Sequence, residues 1–155
     1  METQSMEGIV IRAFTCNDRQ LVTDFFDQMG GETRAFFNRN DGNRTTAMGY
    51  FDATAQNTSF FLAEQCGRMI GYVFLWDMDT SIPWFGIAVH DEYKGKKLGR
   101  KLMDFAINVA KENNKGGILL TAHVANMRAH ALYEHSGFCY LGRHTSGESL
   151  YLLRF

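Results

Sequence analysis

Apolar residues recur along the chain at two spacings, which distinguish strands from helices. Leu21, Phe25 and Met29 are four residues apart, which predicts a helix that a pair of glycines ends. Short runs of β-branched and aromatic residues predict strands at 9–14, 59–64, 69–76 and 82–89, the last three forming an antiparallel meander. The stretch 32–58 is irregular, and a short helix is predicted near 44–50. The segment is either a wall of a substrate site or an ordinary helical turn packed on the sheet.

The second half of the chain predicts a strand–helix–strand unit. Its helix carries a wide apolar stripe made of Leu98, Leu102, Phe105, Ala106 and Val109. The next strand, 118–124, is apolar almost throughout, so we expect it to lie parallel to 82–89 after a right-handed crossover. A helix at 127–136 and strands at 138–142 and 149–155 follow. The order β-α-α-β-β-β-α-β-α-β-β predicts a mixed α/β fold, with a mostly antiparallel sheet of about seven strands, one parallel pair and about four helices.

Length and composition predict one domain over residues 1–155. A formal net charge of -1 gives no reason to expect nucleic acid or an anionic membrane as the main partner. The 3 cysteines, Cys16, Cys66 and Cys139, form no CxxC pair, which favours a reducing compartment over a disulfide framework or a zinc site. No secretion signal and no membrane-spanning run is apparent, so we expect a soluble cytoplasmic protein.

A glycine–lysine turn joins the strand 82–89 to the next helix. Its glycines and lysines are Lys94, Gly95, Lys96, Lys97 and Gly99. The amides of such a turn, the free amides of a helix start and the helix dipole all favour bound phosphate. The spacing matches neither the GxxxxGK[ST] pattern nor GxGxxG with its downstream acid. Taken alone, the turn is either a phosphate site or a solvated helix start.

A second pattern follows one helix and one strand later. It reads Asn-x-x-Ala-x-x-x-Tyr-x-x-x-Gly-Phe and is formed by Asn126, Ala129, Tyr133, Gly137 and Phe138. Together the two stretches resemble the GNAT superfamily of acyl-CoA N-acyltransferases, in residues over 84–138 and in element order over 9–155. The chain departs from that family's pattern at Lys94, where glutamine or arginine is preferred, and at Lys97, where glycine is usual. Lys97 can still offer its N–H if its φ is negative, and its ammonium group can contact a phosphate. We therefore expect the departure to affect cofactor affinity more than cofactor identity.

The resemblance implies an acetyl-CoA-dependent N-acetyltransferase, in which a primary amine attacks the thioester directly in a ternary complex. The strand end would hold the acetyl and pantetheine groups by its backbone, and the turn's amides would bind the pyrophosphate. Tyr133 would be catalytic and protonate the leaving thiolate. The implied cofactor-binding residues are Ile87, Ala88, Val89, Lys94, Gly95, Lys96, Lys97, Leu98, Gly99, Arg100, Asn126 and Tyr133. Asn126 is alternatively only a helix cap, and Tyr133 an amphipathic-helix residue with its hydroxyl in water.

Two rival functions remain beside this one: a non-catalytic acyl-CoA-binding module of the same fold, and an acyltransferase that uses a longer acyl-CoA. The expected partner is an amine on a small molecule or a peptide, not a nucleic acid or a membrane. A homodimer through the late strands is a further expectation from the resemblance.

Acceptor residues and a general base are only weakly marked in the sequence. Aromatic candidates for the acceptor site are Phe36, Phe37 and Trp84, with Tyr50 and Phe51 beside them, although aromatics near a sheet are commonly core. Asp77 and Asp79 are candidates for attracting a cationic amine, and His123 for facing the cleft, but no general base stands out. The 5 histidines lack paired ligand spacing, so no metal is expected.

Overall fold

A computed structural model describes residues 7–29, 44–95 and 97–155. The strands are β1 Val10–Ala13, β2 Ser59–Gln65, β3 Arg68–Trp76, β4 Trp84–Val89, β5 Gly117–Ala122, β6 Cys139–Arg143 and β7 Ser149–Arg154. The helices within the described residues are α1 Arg19–Asp27, α2 Arg44–Phe51, α3 Leu98–Glu112 and α4 Met127–His135, with a 3₁₀ turn at Asp91–Tyr93.

The strands form one mixed sheet of 7 strands in the order β1-β2-β3-β4-β5-β7-β6. β4 and β5 are parallel, and every other pair of neighbours is antiparallel. The prediction of a mostly antiparallel sheet with one parallel pair and about four helices is confirmed. The strand–helix–strand unit, β4–α3–β5, supplies the parallel pair because a crossover helix returns the chain to the same edge.

Each face of the sheet has its own apolar core. α3 and α4 cover one face, where buried residues include Leu98, Leu102, Met103, Ala106 and Tyr133. α1 and α2 cover the other face, where buried residues include Val22, Phe25, Phe26 and Ala47. Neighbouring residues of β3 pack on opposite faces, Val73 toward α3 and Phe74 toward α1, as the period of a strand requires.

The parallel pair is joined only at its beginning. Trp84 lies opposite Leu119, and the Leu119 amide donates to the carbonyl of Pro83 at 2.9 Å. No further pairing of β4 with β5 occurs, whereas β4 pairs with β3 along its whole length. The carboxyl-terminal parts of β4 and β5 therefore diverge and leave a gap in the middle of the sheet.

None of the helices in the described ranges combines the length and the apolar character that crossing a membrane requires.

Candidate active site

A cavity of about 790 Å³ occupies the gap between β4 and β5. On the face covered by α3 and α4, its described wall carries basic side chains, which we call the basic half: Lys94, Lys97, Arg100 and Arg128. On the face covered by α2, its wall is made of hydroxyl and aromatic side chains, which we call the neutral half: Thr46, Thr54, Thr58, Phe74 and Trp76. The cavity thus reaches both faces of the sheet through the gap.

The backbone of β4 presents polar groups to this cavity. The edge of β4 away from the cavity pairs with β3. The register of this pair is shown by the His90 amide, which donates to the carbonyl of Ile70 at 2.7 Å. Hydrogen-bonded positions alternate along an antiparallel pair. The backbone of Ala88 is therefore bonded to β3, while the N–H and C=O groups of Ile87 and Val89 point into the gap. Of the three β4 residues predicted to hold the co-substrate by their backbone, Ile87 and Val89 have groups available, and Ala88 does not.

The first turn of α3 opens onto the basic half. Because α3 begins at Leu98, the amides of Leu98, Gly99 and Arg100 have no partner within the helix, and the preceding side chain does not cap them. The side chain of Leu98 is buried in the core, whereas Gly99 and Arg100 line the cavity. Free amides and the positive end of the helix dipole favour an anion here.

The turn before α3 differs from expectation at Lys97. Its φ is 69°, in the left-handed region, so the negative φ under which we expected its amide to serve a phosphate is not adopted. A left-handed lysine costs about 1–2 kcal/mol, a cost that Gly95, with φ 77°, does not carry. The amide of Lys94 donates to the carbonyl of Asp91 at 3.3 Å, and its ammonium pairs with the same residue's carboxylate at 3.3 Å. Lys96 lies outside the described residues.

Asn126 both caps α4 and lines the cavity. Its Oδ1 accepts a hydrogen bond from the amide of Ala129 at 3.2 Å, which satisfies one of the free amides of the helix start. Within the described part of the chain its Nδ2 has no protein partner, and this group is left for a ligand. Helix capping and ligand contact are therefore compatible at this position.

Tyr133 is buried, with only 5% of its surface exposed, and it lines the cavity. Its ring packs against Phe85, Phe138 and Tyr151 with centroid distances of 6.3, 5.9 and 5.9 Å. Among the described residues its hydroxyl has no hydrogen-bond partner. Burial, and then the nearby charge of Glu148, raises the pKa of Tyr133 well above its usual value. The phenol is consequently a proton donor, not a phenolate, at neutral pH.

Glu148 is the one carboxylate among the described residues that line the cavity. It precedes β7, and the hydroxyl of Thr121 on β5 donates to its Oε1 at 2.9 Å. Ala122, the residue after Thr121, and Tyr151, three residues after Glu148, both pack toward α3 and α4. Because successive residues of a strand point to opposite faces, Thr121 and Glu148 lie on the face that α2 covers. We therefore count Thr121 and Glu148 as part of the neutral half, at the gap, and Glu148 is its one carboxylate among the described residues.

The other candidates for attracting or deprotonating an amine lie in different places. Asp77 and Asp79 are exposed and do not line the cavity. His123 does line it, and its Nδ1 accepts a hydrogen bond from the amide of Ala125 at 3.1 Å. Over residues 7–29, 44–95 and 97–155 there is no cluster of histidine, cysteine and acidic side chains able to hold a metal ion.

The predicted acceptor aromatics are also dispersed. Trp84 stacks on Trp76 at 6.0 Å and is not among the lining residues that the structure describes. Phe51 packs in the core under α1 and α2, and Tyr50 donates its hydroxyl to the carbonyl of Phe14 at 3.1 Å. The remaining two, Phe36 and Phe37, lie outside the described residues.

A model of the acetyltransferase (GNAT) family matches residues 21–138, which is most of the chain. The chain belongs to the GNAT acetyltransferase family. A Bacillus subtilis (strain 168) protein whose assigned name is ribosomal protein bS18-alanine N-acetyltransferase is 30% identical over 78 residues, 50% of this chain and 52% of that protein. The chain thus aligns with about half the length of the curated relative it matches.

Solved structures show the same GNAT fold. The ribosomal-protein-S5-alanine acetyltransferase of Vibrio fischeri superposes with a TM-score of 0.79 at 16% identity, over 98% of this chain and 94% of that one. The PaiA N-acetyltransferase of Thermoplasma acidophilum, solved in complex with coenzyme A, superposes with a TM-score of 0.76 at 15% identity, over 95% and 99%. At such identities the likeness concerns the fold alone.

Sequence reasoning on this GNAT chain missed several residues of the cavity. Arg128 stands inside the second motif but at an unspecified position, so only the helix geometry brings it to the basic half. Trp76 ends the predicted strand 69–76 and carries no further signal. Thr121 and Glu148 carry none either, because 27 residues separate them in sequence. The pairing of β5 with β7, which sets Ala122 opposite Ser149, is what joins them.

Proposed function

We propose that this chain is an acetyl-CoA-dependent N-acetyltransferase that moves an acetyl group to a primary amine by direct attack in a ternary complex. The observation that carries the proposal is the position of Tyr133. Its buried phenol, which has no hydrogen-bond partner among the described residues, lines the same cavity as the free backbone edge of β4, in a gap that opens on the basic half.

The residues present suit an acyl-CoA. The Ile87 and Val89 backbone groups extend into the gap as an added strand would require, which suits the amides of the pantetheine arm. The free amides at 98–100 and the cations of the basic half suit its phosphates. These cations include Arg128, in the first turn of α4. Nδ2 of Asn126 is available to a carbonyl along the arm. The bound thioester supplies the activated acetyl group.

Tyr133 then acts on the leaving group. As the amine nitrogen bonds to the thioester carbon, negative charge builds on the carbonyl oxygen and later on the sulfur. The phenol holds its proton at neutral pH and has no competing partner among the described residues, so it is disposed to donate that proton to the thiolate. The β4 amides directed into the gap are the donors for the carbonyl oxygen.

The acceptor is proposed at the level of a chemical class. The names of two related proteins specify alanine residues of ribosomal proteins as acceptors, which supports a peptide or protein amine here, alongside small amines. The neutral half would take the body of the acceptor. A location in the cytoplasm and a homodimer through β6 and β7 stay predictions.

Co-substrate binding is the first test. The melting temperature of the purified protein should rise by several degrees with acetyl-CoA at about 100 times its Kd, because a ligand that binds only the folded state contributes about 2.7 kcal/mol at that concentration. ATP and NAD at equal concentration serve as controls and should produce no shift. Absence of a shift at millimolar acetyl-CoA contradicts the proposal.

Transfer is the second test. Release of free thiol from acetyl-CoA is followed with a panel of amines and amino-acid amides, which separates an enzyme from a module that only binds acyl-CoA. Tyr133→Phe keeps the ring packing and should lower kcat about 100-fold, a typical loss for a general acid. Its melting-temperature shift with acetyl-CoA should be unchanged. Equal turnover in Tyr133→Phe and the unmodified protein would assign the acid role to another group.

A further inference from the structure

The charges of the cavity are unevenly distributed. All lysine and arginine side chains of its described wall belong to the basic half. The single described carboxylate, Glu148, lies on the opposite face, in the neutral half. Opposite charges attract most strongly where water is partly excluded. An anionic molecule that enters this cavity would therefore bind in the basic half, and a cationic molecule would bind near Glu148.

Glu148 is held in place from two directions. The Thr121 hydroxyl donates to Oε1 at 2.9 Å, and the carbonyl of Glu148 accepts from the amide of His144 at 2.8 Å. The amide of Glu148 donates to the hydroxyl of Ser146 at 3.3 Å, so the backbone is fixed by the turn between β6 and β7. Within the described residues its Oε2 forms no hydrogen bond or ion pair. One carboxylate oxygen is thus anchored while the other is available to a ligand.

Glu148 and Tyr133 approach the same space from opposite faces of the sheet. Tyr133 comes from α4 and Glu148 from the turn before β7, and the charge of Glu148 contributes to raising the pKa of Tyr133. The other titratable groups that share the described wall are Tyr93, His123 and the four side chains of the basic half. Among these groups Glu148 is the one carboxylate, and it lies in the neutral half.

We propose that Glu148, oriented by Thr121, binds the ammonium group of the acceptor and removes its proton before acetyl transfer. This inference rests on the proposed acetyltransferase function for the transfer step. Thr121 is a positioning residue in it, because its hydroxyl acts through the carboxylate to which it donates a hydrogen bond.

The proton balance of the reaction closes with these two groups. The ammonium gives one proton to the Glu148 carboxylate, and the lone pair that is freed forms the new C–N bond at the thioester carbon. The C–S bond breaks with its electron pair on sulfur, and Tyr133 protonates the thiolate. The nitrogen loses a second proton as the amide forms, which restores the phenol, while Glu148 returns its proton to water. An ammonium ion and a thioester thus give an amide, a thiol and one released proton.

The same geometry restricts the acceptor. An amine that carries its own carboxylate next to the nitrogen would place a second negative charge beside that of Glu148, whereas an amide at that position is neutral. We therefore expect amino-acid amides and peptide N-termini to be favoured over free amino acids. The wall of hydroxyl and aromatic residues in the neutral half offers no described cation to a substrate carboxylate.

The test compares Glu148→Gln and Thr121→Val with the control Glu112→Gln. Glu112 is exposed at the last turn of α3, about 20 Å along the helix from the cavity. An amino-acid amide is titrated calorimetrically into each protein, with and without saturating coenzyme A, which cannot transfer an acetyl group. Steady-state kinetics with acetyl-CoA are then measured from pH 7 to pH 9.

Glu148→Gln should weaken amine binding about tenfold and lower kcat/KM about 100-fold at pH 7, the range typical of a lost general base. The deficit should shrink as pH rises, because the neutral fraction of the amine grows up to tenfold per pH unit. Its preference for an amide over the free amino acid should also fall. Thr121→Val should show a smaller deficit of about fivefold, which gives a second measure if Glu148→Gln folds poorly. Glu112→Gln should match the unmodified protein.

The outcomes separate the two proposals. Unchanged amine binding together with a kinetic deficit that is constant with pH in Glu148→Gln overturns the assignment of Glu148 and leaves the acetyltransferase proposal standing. A kcat/KM for Glu148→Gln within twofold of that of the Glu112→Gln control also overturns the assignment of Glu148. Loss of amine binding in Glu148→Gln, in a protein that does not bind acetyl-CoA, supports the ammonium site and overturns the acetyltransferase proposal.

Discussion

The basic half and the neutral half of the cavity are built from different kinds of sequence segment. The basic half comes from two short contiguous stretches, the turn that leads into α3 and the start of α4. The neutral half is assembled from α2, β3 and the segment between α2 and β2, with Thr121 and Glu148 at the gap. Its residues extend from position 46 to position 148.

This difference reflects what each half recognises. A phosphate chain and a pantetheine arm are bound largely by backbone groups, which a local turn and a helix start can provide with few specified side chains. An acceptor is distinguished by side chains, and these are brought together by sheet pairing and helix packing. Changes in one half should therefore affect the binding of one substrate and leave the other nearly unaffected.

Gly86→Ala should have the largest effect on the neutral half. A Cβ at Gly86 would lie 2.3 Å from the ring of Phe74, which is stacked between Tyr72 and Trp76 at 5.2 and 5.1 Å. We expect a loss of about 1–3 kcal/mol of stability, as is typical of overpacking, and displacement of the ring into the cavity. Thermal unfolding measures the loss of stability. Displacement of the Phe74 ring should appear as an increased KM for the amine with unchanged acetyl-CoA affinity.

Gly116→Ala is the matched control, because a Cβ there meets no atom closer than 3.7 Å and its φ is not left-handed. Its melting temperature and both substrate affinities should be close to those of the unmodified protein. Equal destabilisation by the two substitutions would mean that the contact of Gly86 with Phe74 does not matter.

The same division explains what the sequence could predict. Strands and helices were anticipated from periodicity, and the parallel pair from the strand–helix–strand unit around α3, because these depend on neighbours in the chain. The start of α3 and the cap at Asn126 followed from local motifs for the same reason. Glu148 could not be found, since only the register of β7 on β5 brings it to Thr121. The conformation of Lys97 could not be found either, because a residue type does not specify the sign of φ.

Arg128→Ala should have an intermediate effect, confined to the basic half. Removing one cation from the wall should weaken acetyl-CoA binding about fivefold, about 1 kcal/mol, and the loss should shrink at high salt because exposed charges are screened. Lys101→Ala, in the first turn of α3 but not on the cavity wall, should leave the affinity unchanged. Calorimetry at two ionic strengths checks both. A change in the KM for the amine as large as the change in acetyl-CoA affinity would contradict the separation of the halves.

Lys97→Gly should have the smallest effect and should be favourable to stability. Glycine adopts φ 69° without the penalty of about 1–2 kcal/mol that a lysine carries there. It also makes the unfolded chain more flexible, which lowers the free energy of unfolding by about 0.5–1 kcal/mol. The balance is a gain of about 0.5 kcal/mol, or a rise of 1–2 °C in melting temperature. Lys97→Ala removes the same charge and keeps the left-handed cost, so it should not be stabilised. If the two variants melt at the same temperature, the backbone at 97 is not strained, and any loss of acetyl-CoA affinity that they share measures the ammonium group alone.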